Sequence, residues 1–200
     1  IWAVSLNGFV VYCIYCGLTY FIPFLNKIYM LPATAVGMYG IVNQYGLKMI
    51  GGPVGGFMSD KVHKSAAKHI RVGFVVCIVA MAVFLMIPHE ALGQKGMWML
   101  GAVCTLTFGA IVFTMRAVFF APMDEVKVPR EITGAAMSMA SLIIYLPNTF
   151  AYVMYGNFLD RFPGMTGFRI VFSVMIGWAV VGVGVSTFLI RRIKKHQNNA

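Results

Sequence analysis

The sequence predicts an all-α integral membrane fold: six transmembrane helices arranged as two inverted three-helix repeats. Of its 200 residues, 60% are apolar and only 11% charged, with a mean hydropathy of +0.80. A soluble domain runs at about 45–50% apolar and about 25% charged. The apolar residues gather in six runs, each near the ~20 residues needed to cross a hydrocarbon core ~30 Å thick. These runs are too long, and alternate too little, for barrel strands. The balance also excludes a soluble globular domain, a disordered chain and a disulfide-stapled secreted module. The chain begins at Ile1 inside an apolar run, which points to a piece of a longer protein.

The first run, residues 2–24, carries Tyr12, Tyr15 and Thr19 on one helical face. The second, 33–59, presents Gly37, Gly40, Gln44, Lys48, Gly51 and Gly55 on one face. The third, 71–88, is almost purely apolar and reads as lipid-facing. The fourth, 96–120, aligns Cys104, Thr107 and Thr114. The fifth, 132–158, spaces Ser138, Ser141, Tyr145, Asn148, Tyr152 and Tyr155 by threes and fours, one face of a helix. The sixth, 169–190, is apolar again and reads as lipid-facing. In lipid, polar stripes must face protein or water. They either hydrogen-bond between helices in a static bundle or line a shared polar cavity. The cavity, lined by the first, second, fourth and fifth helices, is the preferred reading. The polar–polar–apolar order repeats in two triplets that start on opposite sides of the membrane, the pattern of an inverted-topology repeat.

Net charge is +10, but the basic residues sit in short clusters between apolar runs, so they inform topology rather than nucleic-acid binding. Lys61, Lys64, Lys68, Arg71, Lys127, Arg130, Arg191, Arg192, Lys194 and Lys195 fall on one side. Lys27, Lys95, Arg161 and Arg169 fall on the other. The richer side is expected to be cytoplasmic, with both ends of the chain there. Cys13, Cys16, Cys77 and Cys104 all lie within apolar stretches and read as packing residues. His63, His69, His89 and His196 read as loop residues. No cleavable signal peptide is visible, because the first run is too long and lacks a basic flank.

Gly51-Gly52-Pro53-Val54-Gly55-Gly56 interlaces two G-x-x-x-G pairs around a proline. Small faces let backbones approach, and the proline favours a kink. The run serves either tight static packing or a sliding contact between helices. It lacks the lysine of a nucleotide-binding loop. Next comes Gly56-Phe57-Met58-Ser59-Asp60-Lys61-Val62-His63-Lys64. This Gly-x-x-x-Asp-Lys-x-x-Lys segment resembles the signature loop of the major facilitator superfamily, with His63 where the family has Gly and Ser65 where it has a second basic residue. The segment from Arg116 through Ala121-Pro122-Met123-Asp124-Glu125 to Pro129 and Gly134 resembles the end of the tenth helix and start of the eleventh in bacterial members. Gly156 to Gly164 is similar to their outer loop.

The resemblance covers nearly the whole chain, as the C-terminal half of a twelve-helix major facilitator fold. It implies a secondary transporter of a bacterial inner membrane, working by alternating access against an N-terminal half absent from this chain. It also implies a cytoplasmic gate network of Asp60, Lys61, Arg116 and Glu125, with Asp124 or Glu131 as substitutes for Glu125. The residues themselves show no enzyme chemistry, and neither cofactor nor metal is expected. Expected partners are the lipid bilayer, the N-terminal half and a small-molecule solute, with no nucleic acid. A six-helix half-carrier working as a homodimer, a channel and a non-transporting scaffold are the rival readings.

Candidate substrate-binding residues are Lys48, Gln44, Tyr12, Tyr15, Tyr145 and Asn148. At 1.5 Å per residue, Lys48 lies roughly 18 Å from one boundary and roughly 22 Å from the other. A central lysine costs about 2.5–3.5 kcal/mol on insertion scales, so it calls for water or a partner. No acid lies at that depth in the chain, and the partner is either a carboxylate elsewhere or the substrate. This favours an anionic or polyhydroxylated, sugar-like solute.

Overall fold

The computed structural model describes residues 1–86, 94–126 and 128–198, and these are helical almost throughout. Ten α-helices follow in order: α1 Trp2–Gly17, α2 Phe21–Lys27, α3 Ala33–Ile41, α4 Leu47–Phe57, α5 Ala66–Met86, α6 Gln94–Ala117, α7 Pro122–Glu125, α8 Arg130–Tyr145, α9 Pro147–Arg161 and α10 Met165–Asn198. Among the described residues, five stretches are long and apolar enough to cross a membrane: Trp2–Lys27, Ala66–Met86, Trp98–Ala117, Glu131–Arg161 and Met165–Lys195.

The second predicted crossing is the one outside that set. It is helical from Ala33 to His63, but in pieces. A π-helical turn over Val42–Gly46 separates α3 from α4, Pro53 sits inside α4, and a second π turn runs from Met58 to His63. The proline removes a backbone donor, and each π turn inserts an extra residue into the helical count. The polar residues of this run also lower its hydropathy. The fifth predicted helix is likewise two elements, since α8 ends at Tyr145 and α9 starts at Pro147.

Other boundaries shift outward. The third helix starts at Ala66 rather than 71, which takes His69 out of a loop and buries it in α5. Its predicted end at residues 87 and 88, with His89, lies outside the described residues. The last helix runs from Met165 to Asn198, so the basic stretch beyond the predicted end at 190 is helical, and His196 falls in a helix rather than a loop.

Burial identifies the centre of the bundle. Two-thirds of the apolar window in Trp2–Lys27 is buried (67%), against 22–39% for the other four spans. α1 packs against α6, α8, α9 and α10, while α5 lies on α10 and α6, and α4 lies on α6. Helices in lipid associate through close packing and hydrogen bonds rather than a hydrophobic drive. Both are present here. Phe21 and Phe24 of α2, Phe84 of α5, Phe108 of α6 and Phe168 and Phe172 of α10 form an aromatic cluster. Phe24 stands 5.2 Å from both Phe168 and Phe172, mostly edge to face. The Ser186 hydroxyl donates to Asn7 Oδ1 at 2.8 Å, joining α10 to α1 in a buried bond.

α5 and α10 each have two faces, not one. Val72, Val75, Val76, Val79 and Val83 of α5 are exposed, as lipid-facing residues should be. Its opposite face buries Ile70, Phe74, Cys77 and Phe84, much of it against α10.

Candidate functional site

One arc of polar and aromatic side chains links five helices, α4, α6, α1, α8 and α9. It starts on α4 and α6, where Lys48, Gly52, Phe113, Arg116, Ala117 and Phe119 line a recess of about 270 Å³. Among the described residues no Asp or Glu lines this recess. Two cations without an acid therefore share one open pocket.

The contact that shapes it comes from glycine. An added Cβ on Gly51 would stand 2.8 Å from Phe113 Cβ, and one on Gly55 2.6 Å from the Thr114 carbonyl oxygen. Gly51 and Gly55 thus let α4 lie directly on α6, placing Lys48 beside Arg116. The interlaced pair Gly52 and Gly56 faces open space.

Arg116 continues the arc onto α1. Its guanidinium carbon lies 4.2 Å from the Tyr15 ring centroid and 5.5 Å from that of Tyr12. Both separations fall within cation–π range. Arg116 Nε is buried and has no hydrogen-bond partner among the described residues. Tyr12 then meets Tyr145 of α8 edge to face at 5.0 Å. The Asn148 side-chain amide at the start of α9 donates to the Tyr12 hydroxyl at 3.4 Å, and its oxygen lies 3.8 Å from Cys16 Sγ. Lys48, Tyr145 and Asn148 are exposed, Gln44 and Tyr15 half-buried, Tyr12 buried.

Of the predicted binding residues, the structure therefore gathers Tyr12, Tyr15, Tyr145 and Asn148 into one contact chain. Lys48 joins it through Arg116. Gln44 lies one turn before Lys48 on the π turn and is not among the residues lining the recess.

The rest of the fifth predicted stripe is structural. The Tyr155 hydroxyl donates to the Cys13 carbonyl at 3.1 Å, and the Tyr20 hydroxyl donates to the Tyr152 carbonyl at 2.6 Å. Ser138 and Ser141 donate to carbonyls of their own helix, at Gly134 and Met137. These bonds tie α9 to α1 and to the 3-10 turn Leu18–Tyr20 after it, and satisfy the serines locally, as in a static bundle.

The predicted charge network of Asp60, Lys61, Arg116 and Glu125 does not assemble. Arg116 turns to the tyrosines. Glu125 instead caps α5: it accepts a bond from the Ser65 hydroxyl at 2.8 Å and one from the Ala66 backbone N–H. The first N–H groups of a helix lack intrahelical partners, so a carboxylate there is favoured over a longer reach to an arginine. Asp60 and Lys61 sit exposed on the π turn Met58–His63, and no ion pair among the described residues joins them to Arg116 or Glu125.

Sequence reasoning missed Arg116 as a member of the arc. The resemblance to the major facilitator loop implied a gating role for it instead. Its tyrosine partners lie about a hundred positions away, on a helix whose rotation no local periodicity reports.

Comparison with known proteins places the chain among inner membrane proteins. It is 50% identical over 197 residues, 98% of its length, to inner membrane protein YihN of Escherichia coli K12, covering 46% of that protein. It is 28% identical over 192 residues, 94% of its length, to inner membrane protein YqcE of the same organism, covering 44% of it. The chain thus spans about half the length of these relatives. No family model matches it. With five apolar spans and these relatives, the chain is a multi-pass, all-helical protein of the inner membrane.

Proposed function

We propose that the chain is one six-helix half of a secondary transporter of the major facilitator type, moving a small anionic or sugar-like solute by alternating access. The observation that carries this reading is the recess holding Lys48 and Arg116 with no acid among its described lining residues, continuous with Tyr15, Tyr12, Tyr145 and Asn148. Two uncompensated cations on a membrane helix bundle are costly unless water or an anion answers them. Tyrosine and asparagine edges supply the hydrogen bonds that orient a polar solute. In this reading Ala33–His63 is the sixth crossing, with its π turns and Pro53 as the places where the helix flexes. A second body closes the arc from the open side, and the relatives, about twice this length, leave room for one.

Lys48→Ala tests the proposal in the full transporter. The KM for an anionic substrate is expected to rise tenfold or more, with membrane insertion and melting temperature unchanged. Lys48→Arg is expected to restore affinity only in part, because the guanidinium presents a fork rather than a point charge. An unchanged KM in Lys48→Ala removes this residue from the site.

A further inference from the structure

A second recess lies where α5 begins and α10 ends, and it measures about 130 Å³. Three of its lining residues are lysines from three elements: Lys64 from the turn before α5, Lys68 from the first turn of α5 and Lys194 from the last turns of α10. Ile190 and Ile193 of α10 line the same space. We propose that this recess binds the phosphodiester headgroup of an anionic phospholipid.

Position is the first argument. The apolar spans run Ala66–Met86 and Met165–Lys195, so the recess straddles the boundary where both meet water. A phospholipid presents a phosphate at that depth with acyl chains directly below it, which matches lysines set beside isoleucines. A freely soluble anion has no use for the isoleucines. Charge is the second argument. Glu125 is the one acid lining the recess among the described residues, and its carboxylate is already engaged by Ser65 and the α5 N-terminus. The lysines keep a net positive excess, with Arg191 and Arg192 adjacent on α10. Backbone geometry is the third. Lys64 holds φ +51°, left-handed space that side chains other than Gly, Asn and Asp seldom occupy. From that turn Lys64 lines the recess.

The test is thermal melting of the purified, full-length protein in a neutral detergent, with phosphatidylglycerol, phosphatidylcholine or inorganic phosphate added in turn. Phosphatidylglycerol is expected to raise the melting temperature, while the other two leave it within error. Lys64→Gly relaxes the turn and removes one ammonium. It is expected to leave the lipid-free melting temperature unchanged and to weaken the apparent affinity for phosphatidylglycerol at least threefold. Lys64→Gly with Lys68→Ala and Lys194→Ala is expected to weaken it at least tenfold, whereas Lys27→Ala, in the predicted opposite-side cluster, leaves it unchanged. If the triple variant does not fold, native mass spectrometry of Lys64→Gly supplies the second reading, with fewer retained phosphatidylglycerol molecules expected than for the parent. An equal response to phosphatidylcholine, an equal response to inorganic phosphate, or full retention of the lipid by the variants overturns the proposal.

Discussion

Arg116 and Lys48 approach one pocket from different helices with different chemistry. The arginine is braced by Tyr15 and Tyr12, while the lysine is exposed on α4. A cation over an aromatic face gains about 0.5–1 kcal/mol at an exposed site and more where water is excluded. Arg116→Lys keeps the charge but loses the planar fit over the ring. It is expected to raise KM severalfold with little change in melting temperature, and Arg116→Gln to raise it tenfold or more. Because the two cations share a recess, their effects should not add. A double-mutant cycle on KM between Lys48→Ala and Arg116→Gln is expected to give a coupling above ~0.5 kcal/mol. A sum of the single effects within error would separate the two residues functionally.

Elements show how far sequence patterning reaches. Five of the six apolar runs match spans of membrane-crossing length, and they were legible because hydrocarbon thickness fixes that length. Interruptions within them were not, since a π turn leaves hydropathy unchanged and Pro147 gives no sign of whether it bends or ends a helix. The glycine run is the clearest case. Sequence supplied two equivalent G-x-x-x-G pairs, and only contact with α6 distinguishes them. Gly55→Ala forces a methyl against the Thr114 backbone. Overpacking of this kind costs about 1–3 kcal/mol, so the melting temperature is expected to fall and the Lys48 recess to distort. Gly56→Ala meets open space and is expected to melt like the parent. Equal losses at both positions would mean that α4 lies on α6 through a different face.

On the scale of the whole molecule, the alternation of spans puts the turn at Lys64 and the turn at Gly164 on opposite sides of the membrane, because three spans, Ala66–Met86, Trp98–Ala117 and Glu131–Arg161, lie between them. Single cysteines at the two positions are expected to react with an impermeant maleimide from opposite sides of sealed vesicles. Labelling of both from one side would mean that one of the three intervening spans does not cross. The bundle arrangement was only partly legible in the sequence. Polar stripes did not separate the more buried helices from the lipid-facing ones, since the window of the striped Glu131–Arg161 is 22% buried and that of the apolar Ala66–Met86 39%, and they did not reveal that α1 is the hub. That follows from packing between residues far apart in the chain, such as Asn7 and Ser186, which are 179 positions apart. The hub is also the first helix of this chain to leave the ribosome, and its buried asparagine meets its partner only when α10 emerges. At about 5–20 residues per second, the interval is about 10–40 s. Throughout that time Asn7 must be sheltered by the insertion machinery or by transient neighbours, so biogenesis of this chain is a matter of timing as much as of hydrophobicity.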